Sequence, residues 1–266
     1  MGLAAQRGPG GVRKCGTSPL RCIRGILMKL LIRRALGPLA LASSVATFVM
    51  GYFITPPDKV QGDLARLVYI HPAEAWVALY LSFGTATIAS ALYLWPRTRS
   101  MVADRVAEAA VEVATLFIGL TLLTGSIWGR PTWGVWWVWD ARLTSTAVLG
   151  VLMLGYLALR RANDDPQVRA KRSAVFAILT AVNIPIIHFS VMWWKTLHQG
   201  ATVFTENRDL KIHGSMAWTL LLSFLAFSLN FAWMVRARYR IADREAGQRD
   251  SDLDAALVAR RTETAS

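Results

Sequence analysis

Cysteine is scarce in this chain of 266 residues, which contains only Cys15 and Cys22, both close to the N-terminus. Their spacing fits neither a Cys-x-x-Cys pair nor a zinc pattern, and no Cys-x-x-Cys-His sequence occurs. These absences exclude a covalently held c-type haem and argue against a disulfide framework. A Gly-x-x-x-x-Gly-Lys-Ser/Thr loop is also absent, so ATP hydrolysis at such a site would require another chain.

Charged residues are also few, since they make up 18% of the chain, whereas hydrophobic residues make up 54%. The apolar residues come in long runs, which are typical of membrane proteins. Each run is close to the roughly 20 residues that cross the hydrocarbon core of a bilayer. We therefore predict an all-α integral membrane protein with six transmembrane helices, at about 36–55, 76–95, 111–128, 144–159, 174–194 and 217–235.

Arginine and lysine give the chain a formal net charge of +13. In a soluble protein this charge would suggest nucleic acid. Here the basic residues cluster between the apolar runs, so membrane topology explains them without a nucleic-acid partner. They precede the first span, lie within the loops after the second and fourth spans, and follow the sixth span. Both termini are thus predicted to be cytoplasmic, with a basic tail at 1–34, a membrane domain at 35–240, and a tail at 241–266 that is a short helix or disordered.

Five of the eleven tryptophans lie between residues 128 and 140, in the outer loop predicted between the third and fourth spans. They are Trp128, Trp133, Trp136, Trp137 and Trp139, and Asp140 follows them directly. If the segment from Trp133 is helical, its i, i+3, i+4, i+7 spacing places three indoles and the Asp140 carboxylate on one face. Such a face suits a planar ligand at the membrane surface. The alternative is an interfacial tryptophan belt.

The four histidines, His71, His188, His198 and His213, all lie on or near the predicted outer side. His188 is inside the fifth span, where an ionisable side chain usually marks a functional site; the alternative is a neutral imidazole that is hydrogen-bonded to another helix. Pro185 should kink that span below His188 and open a cavity in which His71 and His188 face one another. Two neutral imidazoles across an apolar slot suit axial ligation of haem iron, whereas zinc would need more ligands at short spacing. His198 and His213 are assigned no special role.

A haem bound in this way would also need cations for its two propionates. Arg66, Arg142 and Arg130 are the candidates, because they lie near His71 or the tryptophan segment in the sequence. The alternative interpretation is that all three are ordinary surface arginines, or that Arg142 pairs with Asp140.

Two motifs carry a family resemblance. The first runs from Trp128 to Thr144, Trp-Gly-Arg-Pro-Thr-Trp-Gly-Val-Trp-Trp-Val-Trp-Asp-Ala-Arg-Leu-Thr, and the second from Asn183 to Val191, Asn-Ile-Pro-Ile-Ile-His-Phe-Ser-Val, followed by Trp-Trp and Leu-His-Gln-Gly. They resemble the signatures of the tryptophan-rich, haem-handling membrane proteins of cytochrome c maturation, and among these the haem exporter protein C family, CcmC. The resemblance covers roughly residues 36 to 240.

The resemblance implies that haem b is held non-covalently and transiently at the periplasmic face, between His71 and His188 and under the tryptophan segment. It also implies that haem passes to the periplasmic haem chaperone CcmE. An ABC transporter, made of the ATPase CcmA and the membrane subunit CcmB with the small single-span helper CcmD, would then act in releasing the loaded chaperone. The expected location is a bacterial inner membrane, with an organelle inner membrane as the alternative.

The chain departs from the family pattern at two places. It has His71-Pro72-Ala73-Glu74 where the family usually has His-Val-Pro, which bears on how the second span begins and how His71 is oriented. Met192 stands where an acidic residue is frequent, which bears on the polar groups that line the site.

We therefore expect a haem-binding transfer protein rather than an enzyme, since no catalytic triad is evident in the sequence. One alternative is a haem lyase that joins haem to apocytochrome thiols, although the related lyases are usually longer and have more spans and histidines. Another alternative is a structural membrane subunit of an ABC exporter. A transporter, however, should carry its polar residues at the midplane of the membrane rather than at the outer surface.

Overall fold

Six helices of the described chain are long and apolar enough to cross a membrane, which confirms the predicted all-α membrane fold. The structure is a computed structural model that describes residues 19–198 and 212–265, with side chains for 34–198 and 212–264. The spans are span 1 (Arg34–Ile54), span 2 (Asp63–Leu94), span 3 (Met101–Trp133), span 4 (Ala141–Arg161), span 5 (Pro166–Trp193) and span 6 (Gly214–Thr264). Residues 1–18 of the predicted N-terminal tail, including Cys15, lie outside the described residues.

Three of the spans consist of more than one helical segment. Span 1 belongs to the helix Pro19–Val49 and its π-helical continuation Met50–Ile54. Span 2 joins the 3-10 helix Asp63–Tyr69, the helix His71–Trp76, the π-helical turn Val77–Ser82 and the helix Phe83–Leu94. Span 5 joins Pro166–Ala181 to Asn183–Trp193. Spans 3 and 4 are the single helices Met101–Trp133 and Ala141–Arg161, and span 6 lies in the helix Gly214–Ala265.

The helices extend beyond the predicted spans at several ends. The first described helix begins at Pro19, before the predicted first span, and the last helix continues to Ala265, beyond the predicted sixth span. Spans 3 and 4 are both longer than predicted, so that only residues 134–140 separate them. We call these residues the tryptophan loop. Apolar runs locate only the part of a helix that crosses the bilayer, because the polar turns beyond it carry no hydropathy signal.

Small side chains line the contact between the two central spans. Ala78 and Ala86 of span 2 and Ala110 and Ala114 of span 3 are all completely buried in the hydrophobic core. Lipid tails are as apolar as leucine, so helices in a membrane associate through close backbone packing, which small residues allow. Spans 2 and 3 therefore pack closely in the core of the bundle, and both of them reach the end that carries the tryptophan loop.

Span 5 is interrupted at Val182, between its two helical segments. Pro185 has no N–H group to donate to the carbonyl of Ala181, so the regular hydrogen-bond ladder cannot continue there. The side-chain amide of Asn183 donates to the Ser145 carbonyl of span 4 at 2.9 Å, which holds the interrupted region in place. The helix is therefore interrupted close to the proline at which the sequence predicts a kink.

A buried ion-pair network joins spans 3 and 4 at the end of the bundle opposite the tryptophan loop. Arg160 donates to both carboxylate oxygens of Asp104, at 2.6 and 2.9 Å, and to Glu108 at 2.8 Å. The side chains of Arg160 and Asp104 are each only 3% exposed. Because a buried charge is costly without its partner, the network depends on each of its members.

Replacing Arg160 with methionine should strongly destabilise the bundle, because it leaves the Asp104 carboxylate buried without its cation. Removing one partner of a buried ion pair costs about 3–5 kcal/mol. We expect the detergent-purified Arg160→Met variant to unfold at a clearly lower temperature than the wild type. Arg161→Met removes the neighbouring, exposed arginine and should unfold at nearly the wild-type temperature. Equal midpoints for the two variants would contradict a stabilising role for the network.

Candidate functional site

The helix of span 3 ends at Trp133, so the predicted helical face of three indoles and Asp140 is wrong. Gly134 adopts the left-handed conformation, with φ 80°, and donates its amide to the Arg130 carbonyl at 2.9 Å. Glycine at this position commonly ends a helix, because it has no Cβ to clash in that conformation. The chain then crosses the tryptophan loop without regular structure, and Asp140 caps the start of span 4.

The five tryptophans of the segment that is expected to lie against haem are divided between the helix and the loop. Trp128 and Trp133 belong to span 3. Trp136 and Trp139, in the loop, are 59% and 78% exposed. Trp137 contacts the Trp139 ring edge-to-face at 5.4 Å, and its Nε1 is buried with no acceptor among the described residues. Trp128 and Trp133 thus belong to the helix bundle, whereas Trp136 and Trp139 of the loop are exposed.

The imidazoles of His71 and His198 lie close together beside the span 3 tryptophans. Their ring centroids are 6.5 Å apart and the ring planes are inclined by 38°. Trp128 meets the His71 ring edge-on at 6.0 Å, and the Trp133 ring lies 6.2 Å from that of His198. The structure therefore brings together two histidines and two tryptophans from span 2, span 3 and the segment after span 5.

Gly125 of span 3 allows the helix backbone to approach His71 very closely. A Cβ atom at this position would lie 2.8 Å from His71 Cε1 and 3.4 Å from its Nδ1. The first distance is well below the separation at which two carbon atoms pack. The missing side chain therefore sets the position of the His71 ring against span 3.

His188, the second ligand predicted from the sequence, has different neighbours. Its Nδ1 is 2.5 Å from the Tyr80 hydroxyl, and its ring packs edge-on against Phe189 at 4.8 Å. Arg142 donates to the His188 carbonyl at 2.9 Å. No described residue forms a hydrogen bond or a ring contact with the side chains of both His71 and His188.

Asp140 connects the tryptophan loop to the segment that carries His198. Its Oδ1 accepts the Leu143 amide at 2.8 Å, which caps the helix of span 4. Its Oδ2 accepts the Leu197 amide at 3.2 Å. One carboxylate therefore holds the residue next to His198 against the start of span 4.

Arg66 and Arg130, the other two arginines predicted to pair with the haem propionates, have hydrogen-bond partners within the protein. Arg66 pairs with Asp63 at 2.8 Å and donates to the Gly51 carbonyl, which ties the start of span 2 to the end of span 1. Arg130 is exposed at the end of span 3 and donates to the Gly134 carbonyl. Both side chains lie at the tryptophan-loop end of their spans.

Glu74 and Thr124 form a hydrogen-bonded chain with His71 that was not predicted. Thr124 Oγ1 is 2.7 Å from Glu74 Oε2 and 3.1 Å from His71 Nδ1. Glu74 is only 4% exposed. A carboxylate three residues from a histidine at the margin of a span was the available signal, since ionisable residues at membrane depth are rare. Its partner on span 3 could not be identified without the fold.

His198 was also missed as a site residue, because an isolated loop histidine usually has no special role. The available signal was its place in Leu-His-Gln-Gly, which directly follows the fifth-span motif. His213, the other histidine set aside, is exposed at the start of span 6.

Two imidazoles in this arrangement can bind one metal ion from opposite sides. In the described part of the chain, no group of three or more His, Cys, Asp or Glu side chains could hold a metal ion. A paired-histidine site suits haem iron better than zinc, which prefers more protein ligands. Metal–imidazole bonds are roughly 2 Å long, so the ring centroids of two opposed ligands lie roughly 6 Å apart. The 6.5 Å separation of His71 and His198 fits this requirement.

Comparisons with known proteins agree with the motif resemblance. The family model described as "Heme exporter protein C", CcmC, matches residues 24–252. The "Heme exporter protein C" of Bradyrhizobium diazoefficiens is 40% identical over 207 residues, which cover 76% of this chain and 77% of the relative. That of Haemophilus influenzae is 40% identical over 195 residues, or 73% of this chain and 77% of the relative. A "Putative cytochrome c biosynthesis ccmC-like mitochondrial protein" of Marchantia polymorpha is 36% identical over 178 residues, or 67% and 73%.

Replacing Asp140 with alanine should loosen the segment that holds His198, because the Leu197 amide loses its acceptor. A hydrogen bond to a charged group contributes about 1.5–3 kcal/mol, so amide hydrogen exchange at Leu197 should become at least about tenfold faster. Asp165→Ala is the matched control, since Asp165 caps span 5 by accepting the Gln167 and Val168 amides at 2.7 and 3.0 Å. Exchange at Leu197 that is the same in both variants would show that the Asp140 contact does not hold the segment.

Proposed function

The chain belongs to the haem exporter protein C family, and we propose that it binds haem at the tryptophan-loop end of its bundle and delivers it to the periplasmic haem chaperone CcmE. Family membership supports a role in haem handling for cytochrome c biogenesis. The observation that carries the finer proposal is the approach of two imidazoles to 6.5 Å beside two indoles. Haem is here the cargo, held without a covalent bond and released to the next protein.

His71 and His198 are the axial ligands in this proposal. Their spacing suits a single iron atom between them, and their position beside Trp128 and Trp133 provides flat apolar surface for a porphyrin. His188 remains the alternative second ligand, because the sequence predicts it. Among the described residues, the ring contacts of His188 include neither His71 nor the span 3 tryptophans, and this favours His198 over it.

The haem propionates need donors, and the tryptophan-loop end supplies several. Arg142 lies against the fifth span through the His188 carbonyl and the Ser190 hydroxyl, to which it donates at 2.9 and 3.4 Å. Arg130 is exposed at the end of span 3, and Trp137 has a buried indole N–H without an acceptor among the described residues. Arg66, the third predicted partner, is already held by an aspartate. We therefore assign the propionates to Arg142 and Arg130 before Arg66.

The exposed indoles of the tryptophan loop are the proposed contact for the chaperone. Trp136 and Trp139 expose large apolar surface at the end of the bundle where haem is held, and exposed aromatic side chains are enriched where proteins bind each other. In this proposal the tryptophan loop lies on the periplasmic side of a bacterial inner membrane, with both termini in the cytoplasm. The ATPase CcmA, the membrane subunit CcmB and the helper CcmD would then act on the loaded chaperone.

The ligand assignment predicts different results for three histidine variants of the haem-loaded, detergent-purified protein. His71→Ala and His198→Ala should each lose the six-coordinate Soret spectrum, because one axial ligand is missing. His188→Ala should keep that spectrum, since its imidazole does not bind the iron. Absorption spectroscopy of all three variants at equal protein concentration makes the comparison. Loss of the spectrum in His188→Ala with retention in His198→Ala would replace His198 by His188 as the second ligand.

The chaperone contact predicts that the exposed indoles act in transfer rather than in haem binding. Trp136→Ala with Trp139→Ala should retain bound haem but transfer it to purified CcmE at least about tenfold more slowly, as expected when interface aromatic residues are truncated. The measurement is the fraction of haem recovered with CcmE over time. Trp95→Ala, which removes a 56% exposed tryptophan at the other end of the bundle, is the control. Wild-type transfer by the double variant would contradict the proposed contact.

A further inference from the structure

Glu74 is a buried carboxylate that the proposed haem site has not so far used. It lies in the helix His71–Trp76 with 4% of its surface exposed, one turn beyond His71. A carboxylate removed from water is costly unless it is hydrogen-bonded. Its partner is Thr124 of span 3, whose Oγ1 is 2.7 Å from Glu74 Oε2. The same threonine oxygen is 3.1 Å from His71 Nδ1.

The direction of these two hydrogen bonds follows from the number of protons available. A threonine hydroxyl has one proton to donate and lone pairs to accept, and an ionised carboxylate can only accept. The Thr124 hydroxyl therefore donates to Glu74. Its oxygen then has no proton left for His71, so the His71 Nδ1 must carry the proton and donate to it. In an imidazole, the hydrogen bond made by one ring nitrogen determines which nitrogen is protonated and which is free to bind a metal.

We propose that Glu74, acting through Thr124, is a positioning residue that holds His71 in the form with a proton on Nδ1 and a bare Nε2 for haem iron. This inference rests on the proposed function, since His71 is the ligand that the relay prepares. Histidines that bind metals usually donate their second ring N–H to such an acceptor, which fixes both ring orientation and proton position. Gly125, the residue after Thr124 in span 3, also restricts the position of the ring through its close backbone approach.

Competing acceptors do not change this outcome. Thr124 Oγ1 is also 2.9 Å from the carbonyl of Leu120, one turn earlier in its own helix. If the hydroxyl proton is directed to that carbonyl, the Thr124 oxygen still has no proton to give to His71 Nδ1. The remaining arrangement, in which Thr124 donates to His71, requires a proton donor at position 74, either a protonated carboxyl group or an amide. A glutamine at position 74 supplies that donor, which makes the relay testable.

The relay can be read in the protein without haem by nitrogen-15 NMR of the histidine rings, with His71 assigned from the signals lost in His71→Ala. In the wild type, His71 should show a protonated Nδ1 and an unprotonated Nε2. Thr124→Val removes the acceptor and Glu74→Gln offers a donor, so both should lower the population of that form. Thr124→Ser keeps the hydroxyl and should show the wild-type population of the form with a proton on Nδ1. Thr115→Val is the matched control, because Thr115 lies in the same span and, among the described residues, its hydroxyl bonds only to the Val111 carbonyl of its own helix.

Haem affinity is the second measurement, and it separates this inference from the proposed function. Loss of a group that orients a metal ligand costs roughly 10–100-fold in affinity, so Glu74→Gln and Thr124→Val should weaken haem binding by at least about tenfold. Thr124→Ser and Thr115→Val should bind haem as the wild type does. If the wild type binds no haem, the proposed function fails, whereas the NMR result still decides the relay. If the protonation of the His71 ring nitrogens is unchanged in both Glu74→Gln and Thr124→Val, the relay is overturned. If Thr124→Val fails to fold, the result for Glu74→Gln alone decides.

Discussion

The approach of His71 to His198 is the constraint on which the proposed site depends. The two residues are far apart in the chain and meet because a new helical segment of span 2 begins at His71, while the segment after span 5 passes beside Trp133 of span 3. Metal–ligand distances tolerate deviations of only about 0.2 Å, so each imidazole needs supports of its own. Gly125 and Thr124 support one ring, and Asp140 supports the backbone beside the other.

The membrane explains why these supports lie where they do. Backbone polar groups must be satisfied within the protein at bilayer depth, which restricts the spans to helices and leaves irregular segments for their ends. Small residues bring spans 2 and 3 together in the interior, and the Arg160 network joins spans 3 and 4 at one end. The short tryptophan loop and the segment after span 5 then meet at the opposite end, where two neighbouring spans can hold them.

The membrane fold was predictable from the sequence, whereas the approach of His198 to His71 was not. Hydropathy located all six spans of the described chain, and Pro185 indicated the interruption of the helix in span 5. Both were predictable because each signal is local in the sequence. The pairing of His71 with His198 is a long-range contact that no spacing rule reports. The helical face from Trp133 to Asp140 was predicted wrongly because the 3.6-residue period was given more weight than Gly134, which ends the helix. The role of Thr124 could not be predicted either, because a threonine in a span normally bonds only to its own helix. Its contacts with Glu74 and His71 are long-range.

The most direct test of the central claim is a structure of the haem-loaded protein determined by cryo-electron microscopy. The account predicts one porphyrin at the tryptophan-loop end, with its iron between the Nε2 atoms of His71 and His198 and its plane beside Trp128 and Trp133. An iron atom bound by His188, or a porphyrin at the end of the bundle where Arg160 lies, would contradict it.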